Sequence, residues 1–321
     1  MTRNNPVQIR PLRLELETLG TFRAPEYQGA LFRGGFGKHF RDLTCVTRAP
    51  DCRGCSRSRA CPYSMVFETP VDPERFQVLR KYPHAPHPFV LAPEMSAARE
   101  LRAGSSLSLH VTLIGPGVGY LPHFLVVFDA MGREGRFGGR FRIRRVVAAT
   151  GGGIVYDGAS RQFIGEPPDW TWPAESACEV RRLSLEFLTP LRMRTTGEYN
   201  TSPSFAELTQ ALLRRAHLLR ALYGDGTVDT AWMAPLLRDA DEAVVEAAEW
   251  KLFEWGRTSG RQDRRVPMDG VLGRITVRGN LTALAPWYRL GEWIHIGNGT
   301  SMGLGRFRVK TESDDLTGPG Q

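Results

Sequence analysis

The stretch Gly297-Asn298-Gly299-Thr300-Ser301-Met302-Gly303-Leu304-Gly305-Arg306-Phe307 contains four glycines and leads into an apolar strand pattern that ends at Val309. Glycine adopts positive φ and leaves room for an approaching group, and consecutive exposed N–H groups in such a loop form a concave anion site. Residues 281–292 predict a helix before the loop. A dinucleotide fold places a strand there instead, and no Gly-Lys-Ser/Thr sequence closes a P-loop. The stretch therefore predicts either an anion site or a tight connection from helix to strand.

The second half of the chain supplies the elements around this loop. It shows, in order, a strand at 179–188, a helix at 204–223 capped by Ser202 or Ser204, an inserted helix at 230–246, strands at 250–258 and 271–279 joined by a basic tip, the helix at 281–292 and a last strand at 303–309. The strands follow from apolar–polar alternation and the helices from apolar residues at helical spacing. The core order is strand, helix, strand, strand, helix, strand, which is the ferredoxin-like order.

The first half fits the same order less cleanly. Its pattern predicts a strand at 7–19, a helix at 25–43, strands at 107–113 and 137–150, a helix at 121–131 and a short strand through Tyr156. The proline-rich residues 70–93, with His84 and His87, predict an extended surface connection. The fold class expected is α+β, with tandem ferredoxin-like (RRM-like) domains at 1–165 and 179–309. A disordered tail is expected at 310–321.

Composition limits the classes of function. The 321 residues suffice for one large or two ordinary domains, and 41% are hydrophobic, enough for a sizeable core. Lys and Arg number 42 against 34 acidic residues, so the formal net charge is +8, which suggests a polyanionic partner. No run of eighteen apolar residues predicts a membrane helix, and residues 1–6 lack the apolar core of a secretory signal. We therefore expect a cytoplasmic protein without a membrane partner.

Two arginine-rich segments are candidates for phosphate contacts, because the guanidinium fork matches phosphate geometry better than an ammonium group does. The first holds Arg133, Arg136, Arg140, Arg142, Arg144 and Arg145, and the second holds Arg257, Arg261, Arg264 and Arg265. The alternative for each segment is a solvated loop.

Four cysteines follow the first predicted helix in the spacing C-x6-C-x2-C-x5-C: Cys45, Cys52, Cys55 and Cys61. Four thiolates so close together can close a tetrahedron around zinc, and the polar residues between them need a metal to stay folded. We therefore predict a metal-binding insertion at 45–61. An iron–sulfur cluster is the alternative because Pro62 follows the last cysteine. Cys178 is expected to be a buried small hydrophobic residue.

The residues from Gly291 to Phe307 resemble the C-terminal signature of the CRISPR repeat-processing endoribonucleases, the "Cas-six" branch of the RAMP superfamily. Residues 187–192, 205–223 and 270–279 resemble that family's strand, helix and return strand in the same order. In the first half, residues 31–37 and the cysteine cluster resemble the family more loosely.

This resemblance implies a prokaryotic protein that binds and cleaves CRISPR precursor RNA within its repeats and keeps the mature crRNA. The implied reaction is metal-independent. The ribose 2′-OH attacks the adjacent phosphate and leaves a 2′,3′-cyclic phosphate and a 5′-OH end. Its requirements are an acid, a base and positive charge on the phosphorane. The implied partners are the repeat stem-loop and possible further subunits of a CRISPR ribonucleoprotein complex.

The resemblance also directs the choice of site residues. His39 is the first candidate for proton transfer, with Lys38 or Arg33 stabilising charge and Tyr27 orienting the ribose. His295 is the second candidate, its other role being to pack and shape the loop. RNA contacts are assigned to Arg133, Arg136, Arg140, Arg142, Arg257, Arg261, Arg264, Arg265, Gly297, Gly299, Gly303, Gly305 and Arg306.

Two other functions are consistent with these features. A non-catalytic RNA-binding subunit of a CRISPR effector complex would keep the basic surfaces and the glycine loop. A zinc-stabilised nucleic-acid-binding protein unrelated to CRISPR would keep the cysteines and the charge. Repeat RNA with 2′-deoxyribose at the scissile position should resist the enzyme and still bind. Cleavage in a strong chelator would argue against metal-dependent nuclease chemistry.

Overall fold

The chain is described from a computed structural model that covers residues 7–23, 25–52, 54–70, 85–95, 100–170, 178–195, 197–226, 228–259 and 264–312. It divides into two compact units. The first comprises Met1–Thr171 with Leu218–Val228, and the second comprises Trp172–His217 with Asp229–Gln321. Each unit combines helices with an antiparallel sheet, so the predicted mixture of helix and sheet is confirmed. No helix among the described residues has the length and apolar character needed to cross a membrane.

The first unit is built on a six-stranded sheet in the order β3-β5-β1-β6-β7-β8. Its strands are β1 (Ile9–Thr18), β3 (Phe89–Pro93), β5 (Ser106–Ile114), β6 (Phe141–Ala148), β7 (Ile154–Asp157) and β8 (Gln162–Phe163). A separate pair joins β2 (Phe22–Arg23) and β4 (Glu100–Leu101). Leu12, Leu14 and Leu16 of β1 are buried while the residues between them face outward, as the alternation predicts.

Two helices, α1 (Gly29–Thr44) and α2 (Leu121–Glu134), complete the core of the first unit. Phe36 of α1 lies at its centre, with ring centroids 4.5 Å from Phe124 and 4.8 Å from Phe128. Gly35 allows this close packing, because a Cβ there would lie 2.7 Å from Met131 Cε. Short helical turns at Ser64–Glu68 and Gly115–Tyr120 cover the edges of the core.

One expectation for the first unit is wrong. Residues 89–93, placed by the sequence in a surface connection, form the fully buried strand β3, which pairs with β5. The short apolar run at 89–92 lies among prolines, which favour the prediction of a loop. His87 lies in a loop, as predicted, and His84 lies outside the described residues.

The second unit has a four-stranded sheet in the order β12-β15-β9-β16. Its strands are β9 (Arg182–Phe187), β12 (Val244–Phe253), β15 (Gly270–Arg278) and β16 (Phe307–Glu312). The helices are α3 (Phe205–Tyr223), α4 (Met233–Glu242) and α5 (Ala285–Ile294), and two hairpins, β10–β11 (Arg194–Thr195 and Glu198–Tyr199) and β13–β14 (Gly256–Ser259 and Arg264–Pro267), lie beside the sheet.

Helix α3 begins with the capping arrangement that its sequence predicts. Ser204 accepts a hydrogen bond at Oγ from the Glu207 amide (3.2 Å), and Glu207 accepts one at Oε2 from the Ser204 amide (2.8 Å). This reciprocal pair is a capping box, so the predicted cap by Ser204 is confirmed. Further along the core, the Tyr288 and Thr209 hydroxyls are 2.6 Å apart, and burial raises the pKa of Tyr288.

Four features of the second unit differ from what the sequence predicts. The predicted helix 230–246 ends at Glu242, because the β-branched pair Val244 and Val245 begins β12. The predicted strand 250–258 is therefore the end of β12, followed by a separate hairpin. Strand β16 begins only at Phe307 and extends to Glu312, so residues 310–312 are ordered in a strand; residues 313–321 lie outside the described part. Cys178 is exposed rather than buried.

The two units share one chain order. The first runs β1-α1-β3-β5-α2-β6 and the second β9-α3-β12-β15-α5-β16, with further elements inserted. In the first sheet, β5 lies between β3 and β1, and β6 lies on the other side of β1. In the second sheet, β15 lies between β12 and β9, and β16 lies on the other side of β9.

Candidate nucleic-acid interface and catalytic histidines

His39 lies on the buried side of α1. Its Nδ1–H donates to the carbonyl oxygen of Gly35 at 2.9 Å, and its ring packs against Phe137 with centroids 5.6 Å apart. The other ring nitrogen, Nε2, faces the carboxylate of Glu134. Because Nδ1 already carries the proton that bonds Gly35, Nε2 can donate to Glu134 only in the imidazolium form.

Glu134 extends this contact to the surface. It is the last residue of α2, which ends at Gly135 in the left-handed conformation (φ 72°). Its Oε1 lies 2.6 Å from Nε of Arg136, whose side chain is 70% exposed. The three side chains form a row from a buried imidazole to a guanidinium in solvent. Such a row combines a proton-transfer group with a group that stabilises phosphate charge.

The other catalytic candidates of the first unit have different partners. Lys38 is exposed and pairs with Asp42 at 2.6 Å. Arg33 donates from Nη2 to His87 Nε2 at 2.8 Å, and Tyr27 is only 2% exposed. The structure thus brings His39 together with Arg136, which the sequence had assigned to RNA binding, and with Glu134, which sequence reasoning missed. The only signal for Glu134 was a carboxylate inside the arginine segment, three residues beyond the predicted end of the helix at 131.

The arginines of the first segment are largely matched by carboxylates. Arg142 contacts Glu17 at 3.0 Å across neighbouring strands, and Arg133 contacts Asp129 at 3.3 Å. Arg140 is exposed at the turn before β6. The charge available to a phosphate backbone on this surface is therefore smaller than the arginine count suggests.

The second arginine segment forms the hairpin β13–β14. Arg257 is placed opposite Val266, while Arg264 and Arg265 stand opposite Ser259 and Thr258. Arg261 lies outside the described residues. The basic tip is thus carried by its own two-stranded hairpin rather than by the ends of β12 and β15.

The glycine-rich loop of the second unit owes its glycines to close backbone approach. Gly297, Gly299, Gly303 and Gly305 all have positive φ, from 68° to 87°. A Cβ at Gly305 would overlap the Ile296 carbonyl, and one at Gly297 would lie 2.6 Å from the Arg192 carbonyl oxygen. Several loop amides also donate within the unit, among them Asn298 to Arg192 O (2.7 Å) and Gly305 to Pro190 O (2.9 Å). The loop is therefore a tight helix-to-strand connection, and its RNA contacts stay a prediction.

His295 joins this loop to α5. Its side chain is 2% exposed, and its Nδ1–H donates to the carbonyl oxygen of Leu304 at 3.2 Å. Its backbone has φ 63°, and its amide donates to Gly291 O at the end of the helix (2.8 Å). These contacts describe a packing role, and the catalytic role of His295 stays a prediction. Arg306 donates its amide to Thr189 Oγ1 at 2.9 Å, which fixes the exit of the loop.

The four cysteines of the first unit, all free thiols, line one cavity of about 130 Å³. Thr47 Oγ1 lies 3.8 Å from Cys45 Sγ and 3.7 Å from Cys55 Sγ, and its hydrogen bond lowers the pKa of Cys45. Burial raises the pKa of Cys52. Four soft donors around one cavity are the donor set of a thiolate metal site. Among the described residues, no group of three or more His, Cys, Asp or Glu side chains has the arrangement needed to hold a metal ion.

Comparison with known proteins identifies the class to which this fold and these residues belong. Residues 7–168 match the AF_1859_N family of N-terminal domains, and residues 185–307 match the CRISPR-associated endoribonuclease Cas6 family. The chain therefore belongs to the AF_1859_N family, whose model covers half of it, and residues 185–307 match the Cas6 family of CRISPR-associated endoribonucleases, as the sequence resemblance predicted.

Individual proteins are similar to this chain over most of its length. An uncharacterized protein of Archaeoglobus fulgidus is 26% identical over 298 residues, which cover 90% of this chain and 94% of that protein. A Cas6 product complex aligns at 18% identity and TM-score 0.57, covering 94% of this chain and 100% of the other. Thermus thermophilus Cas6 aligns at 17% identity and TM-score 0.51, covering 95% and 99%. At these identities the solved structures establish a shared fold.

Proposed function

We propose that this chain cleaves CRISPR precursor RNA within its repeats, without a catalytic metal, and remains bound to the mature crRNA. The observation that carries the proposal is the row His39–Glu134–Arg136, which joins a buried imidazole to an exposed guanidinium through one carboxylate. The match of residues 185–307 to an endoribonuclease family supports the RNA substrate.

In this mechanism the ribose 2′-OH attacks the adjacent phosphate, giving a 2′,3′-cyclic phosphate and a 5′-OH end. We assign His39 as the proton donor to the leaving 5′ oxygen, because its Nε2 faces the Glu134 carboxylate and imidazole is the side chain suited to proton transfer near neutral pH. The proton of the 2′-hydroxyl leaves to solvent. Arg136 stabilises the charge of the phosphorane, as a mobile guanidinium near the surface can.

The remaining candidates receive secondary roles in this proposal. Arg33 and Lys38 contact phosphates next to the scissile one, and Tyr27 acts only through packing because it is 2% exposed. His295 is the second candidate for proton transfer. It would act only if the glycine loop opened, since its side chain is equally buried.

The proposed RNA contacts are assigned to each unit separately. The first unit contributes the first arginine segment. The second unit contributes the second arginine segment, the glycine-rich loop and Arg306. Two solved structures of similar fold, a Cas6 product complex and a Cas6 substrate mimic complex, support the proposal of a bound RNA partner. We propose the repeat stem-loop as the partner in the prokaryotic cytoplasm. Other subunits of a CRISPR ribonucleoprotein complex are proposed as further partners.

We also assign both units to the ferredoxin-like class, since each has the order β-α-β-β-α-β and the strand arrangement described above. The domains are proposed at 1–165 and 179–309. Cys45, Cys52, Cys55 and Cys61 are proposed to hold structural zinc, with an iron–sulfur cluster as the alternative, which a coloured protein would indicate. Zinc there would stabilise the polar segment 45–61 and take no part in cleavage.

The experiment that tests the function is incubation with repeat RNA in a strong chelator. Wild type should produce fragments ending in a 2′,3′-cyclic phosphate, and His39→Ala should lose about 10²- to 10⁴-fold in rate. His295→Ala is the comparison. Loss of activity confined to His295→Ala would move the catalytic role to the second unit.

The second candidate function is a structural RNA-binding subunit. It is favoured by the ion pairs that neutralise much of the first arginine segment and by the burial of His39. Repeat RNA with 2′-deoxyribose at the scissile position should bind and resist the enzyme. Intact ribose RNA that binds and is never cut would establish the subunit instead.

A further inference from the structure

We infer that Arg192, Arg194 and Tyr199 form a binding subsite for one unpaired nucleotide of the RNA, an inference that rests on the proposed function. Arg194 stands directly opposite Tyr199 in the hairpin β10–β11. The Cζ atoms of Arg192 and Arg194 lie 4.0 Å and 4.6 Å from the centroid of the Tyr199 ring. Two guanidinium groups are thus layered on one aromatic side chain.

Neither guanidinium forms an ion pair with a carboxylate among the described residues, although the Asp269 carboxylate lies near enough to act on the pKa of Arg192. Among the described residues, Arg192 and Arg194 form no ion pair, in contrast to Arg182 and Arg274 of the same unit. Arg192 donates to the carbonyl oxygens of Asp269 (3.2 Å) and Pro267 (3.3 Å), and Arg194 donates to the Tyr199 hydroxyl (2.9 Å). Neutral acceptors hold both groups in place and leave their charge available to a phosphate.

The acidic side chain tied to this hairpin is engaged elsewhere. Glu207 accepts hydrogen bonds from Thr195 Oγ1 (2.9 Å) and from Asn200 Nδ2 (3.0 Å), besides those that cap α3. Its pKa is lowered, with hydrogen bonds from Ser204, Thr195 and Asn200 outweighing the effect of burial. These contacts fix the hairpin to the start of α3, so the two arginines and the tyrosine are pre-organised.

The exposed ring points to a nucleobase as the second part of the ligand. Tyr199 is 38% exposed, and bases without a pairing partner stack on aromatic rings and on guanidinium planes. The cavity beside it is about 20 Å³, too small to enclose a base. The base must therefore stack on the outer surface of the Arg–Tyr layer. Because every base has a face that can stack, we expect no preference for one particular base.

The position of this subsite agrees with an RNA path. The carbonyl oxygen of Arg192 accepts the amide of Asn298 at 2.7 Å, so the layer is joined to the glycine-rich loop. Both lie inside residues 185–307, which match the Cas6 family. A nucleotide stacked here would be a direct neighbour of RNA that contacts the loop.

The test measures binding of repeat RNA with 2′-deoxyribose at the scissile position and 2-aminopurine at one unpaired position at a time. Tyr199→Ala should raise Kd by about 5- to 150-fold, and Tyr199→Phe should change it little, because stacking is kept. At one position the 2-aminopurine fluorescence should be quenched by wild type and not by Tyr199→Ala. Arg194→Gln should reduce the slope of log Kd against log salt by about 0.7. Arg308→Gln, an exposed arginine of β16, is the matched control and should change neither readout.

Several results would overturn the inference. One is a Tyr199→Ala variant with wild-type Kd and quenching, which would leave repeat cleavage and the proposed function untouched. Another is an equal loss of affinity for a fully paired duplex, which would make the subsite a duplex contact. If Tyr199→Ala has a lower melting temperature than wild type, the Arg194→Gln variant provides the test instead. An unchanged slope of log Kd against log salt in that variant would refute the subsite. A wild-type chain that neither binds nor cuts repeat RNA would remove both proposals.

Discussion

The carboxylate of Glu134, at the end of α2, faces Nε2 of His39 in the middle of α1. One carboxylate oxygen lies near the imidazole and the other lies near Arg136. Glu134 therefore couples the proton state of a buried ring to a guanidinium that a phosphate can attract. We expect it to position His39 and to hold Arg136 beside it.

Glu134→Gln should retain much of the shape of this contact and lose its charge. We expect slower cleavage of repeat RNA, since the charged group that faces His39 Nε2 and Arg136 is lost. The measurement is the single-turnover rate, with Glu249→Gln as the control because Glu249 is exposed and pairs with Arg274 instead. An unchanged rate would show that Glu134 has no part in catalysis.

Gly305→Ala should destabilise the second unit strongly. Gly305 has φ 68°, and an added Cβ would overlap the Ile296 carbonyl. The left-handed conformation alone costs about 1–2 kcal/mol for alanine, and the overlap adds to it. Gly152→Ala is the control, since Gly152 has φ 71° and nothing within 4 Å of an added Cβ. Urea unfolding should give a larger loss for Gly305→Ala, and equal losses would contradict the packing argument.

Glu292→Gln should stabilise the chain at neutral pH. Burial raises the pKa of Glu292 above its usual range, although Val309 N–H donates to it at 2.9 Å. A raised pKa in the folded state means that stability falls as the pH rises from the unfolded to the folded pKa. Glutamine keeps the acceptor and cannot ionise.

The gain of Glu292→Gln should therefore be absent below about pH 4 and should grow as the pH rises above that value. Thermal melting of both proteins at several pH values measures this gain in stability. The variant loses the ion pair between Arg289 and Glu292, which are 3.8 Å apart. A constant difference between the two proteins at every pH would contradict the effect of burial.

Removal of metal should lower the melting temperature of the first unit. We expect a fall of more than about 5 °C after dialysis against a zinc chelator, because the segment that carries the four cysteines has little core of its own. Zinc content by mass spectrometry should fall in Cys52→Ser and stay unchanged in Cys178→Ser, since Cys178 is exposed and far along the chain from the cavity. Equal zinc content and equal melting in both variants would exclude the proposed site.

Local chemistry explains which parts of the fold could be predicted from the sequence. The alternation of β1 and the capping box of Ser204 and Glu207 are signals carried by neighbouring residues, and both were found. Strand β3 was missed because prolines surround its five apolar residues. The end of α4 was missed because the pairing of Val244 with β15, a distant partner, decides it.

The candidate site was harder to predict for the same reason. His39 was chosen from its place in α1, whereas its partner Glu134 lies far along the chain and meets it only through the packing of α1 on α2. Arg192 and Tyr199 depend likewise on a turn whose residues show no periodicity. Contacts of this kind arise from tertiary packing, which no short window of sequence contains.

The position of β16 has a consequence for how the protein is made. This strand pairs only with β9 within its sheet, and it follows every other element of the second unit in the chain. During synthesis the edge of β9 therefore remains bare until residues Phe307–Glu312 have left the ribosome. Until that moment the incomplete sheet exposes an unpaired strand edge, which is a template for pairing with another chain.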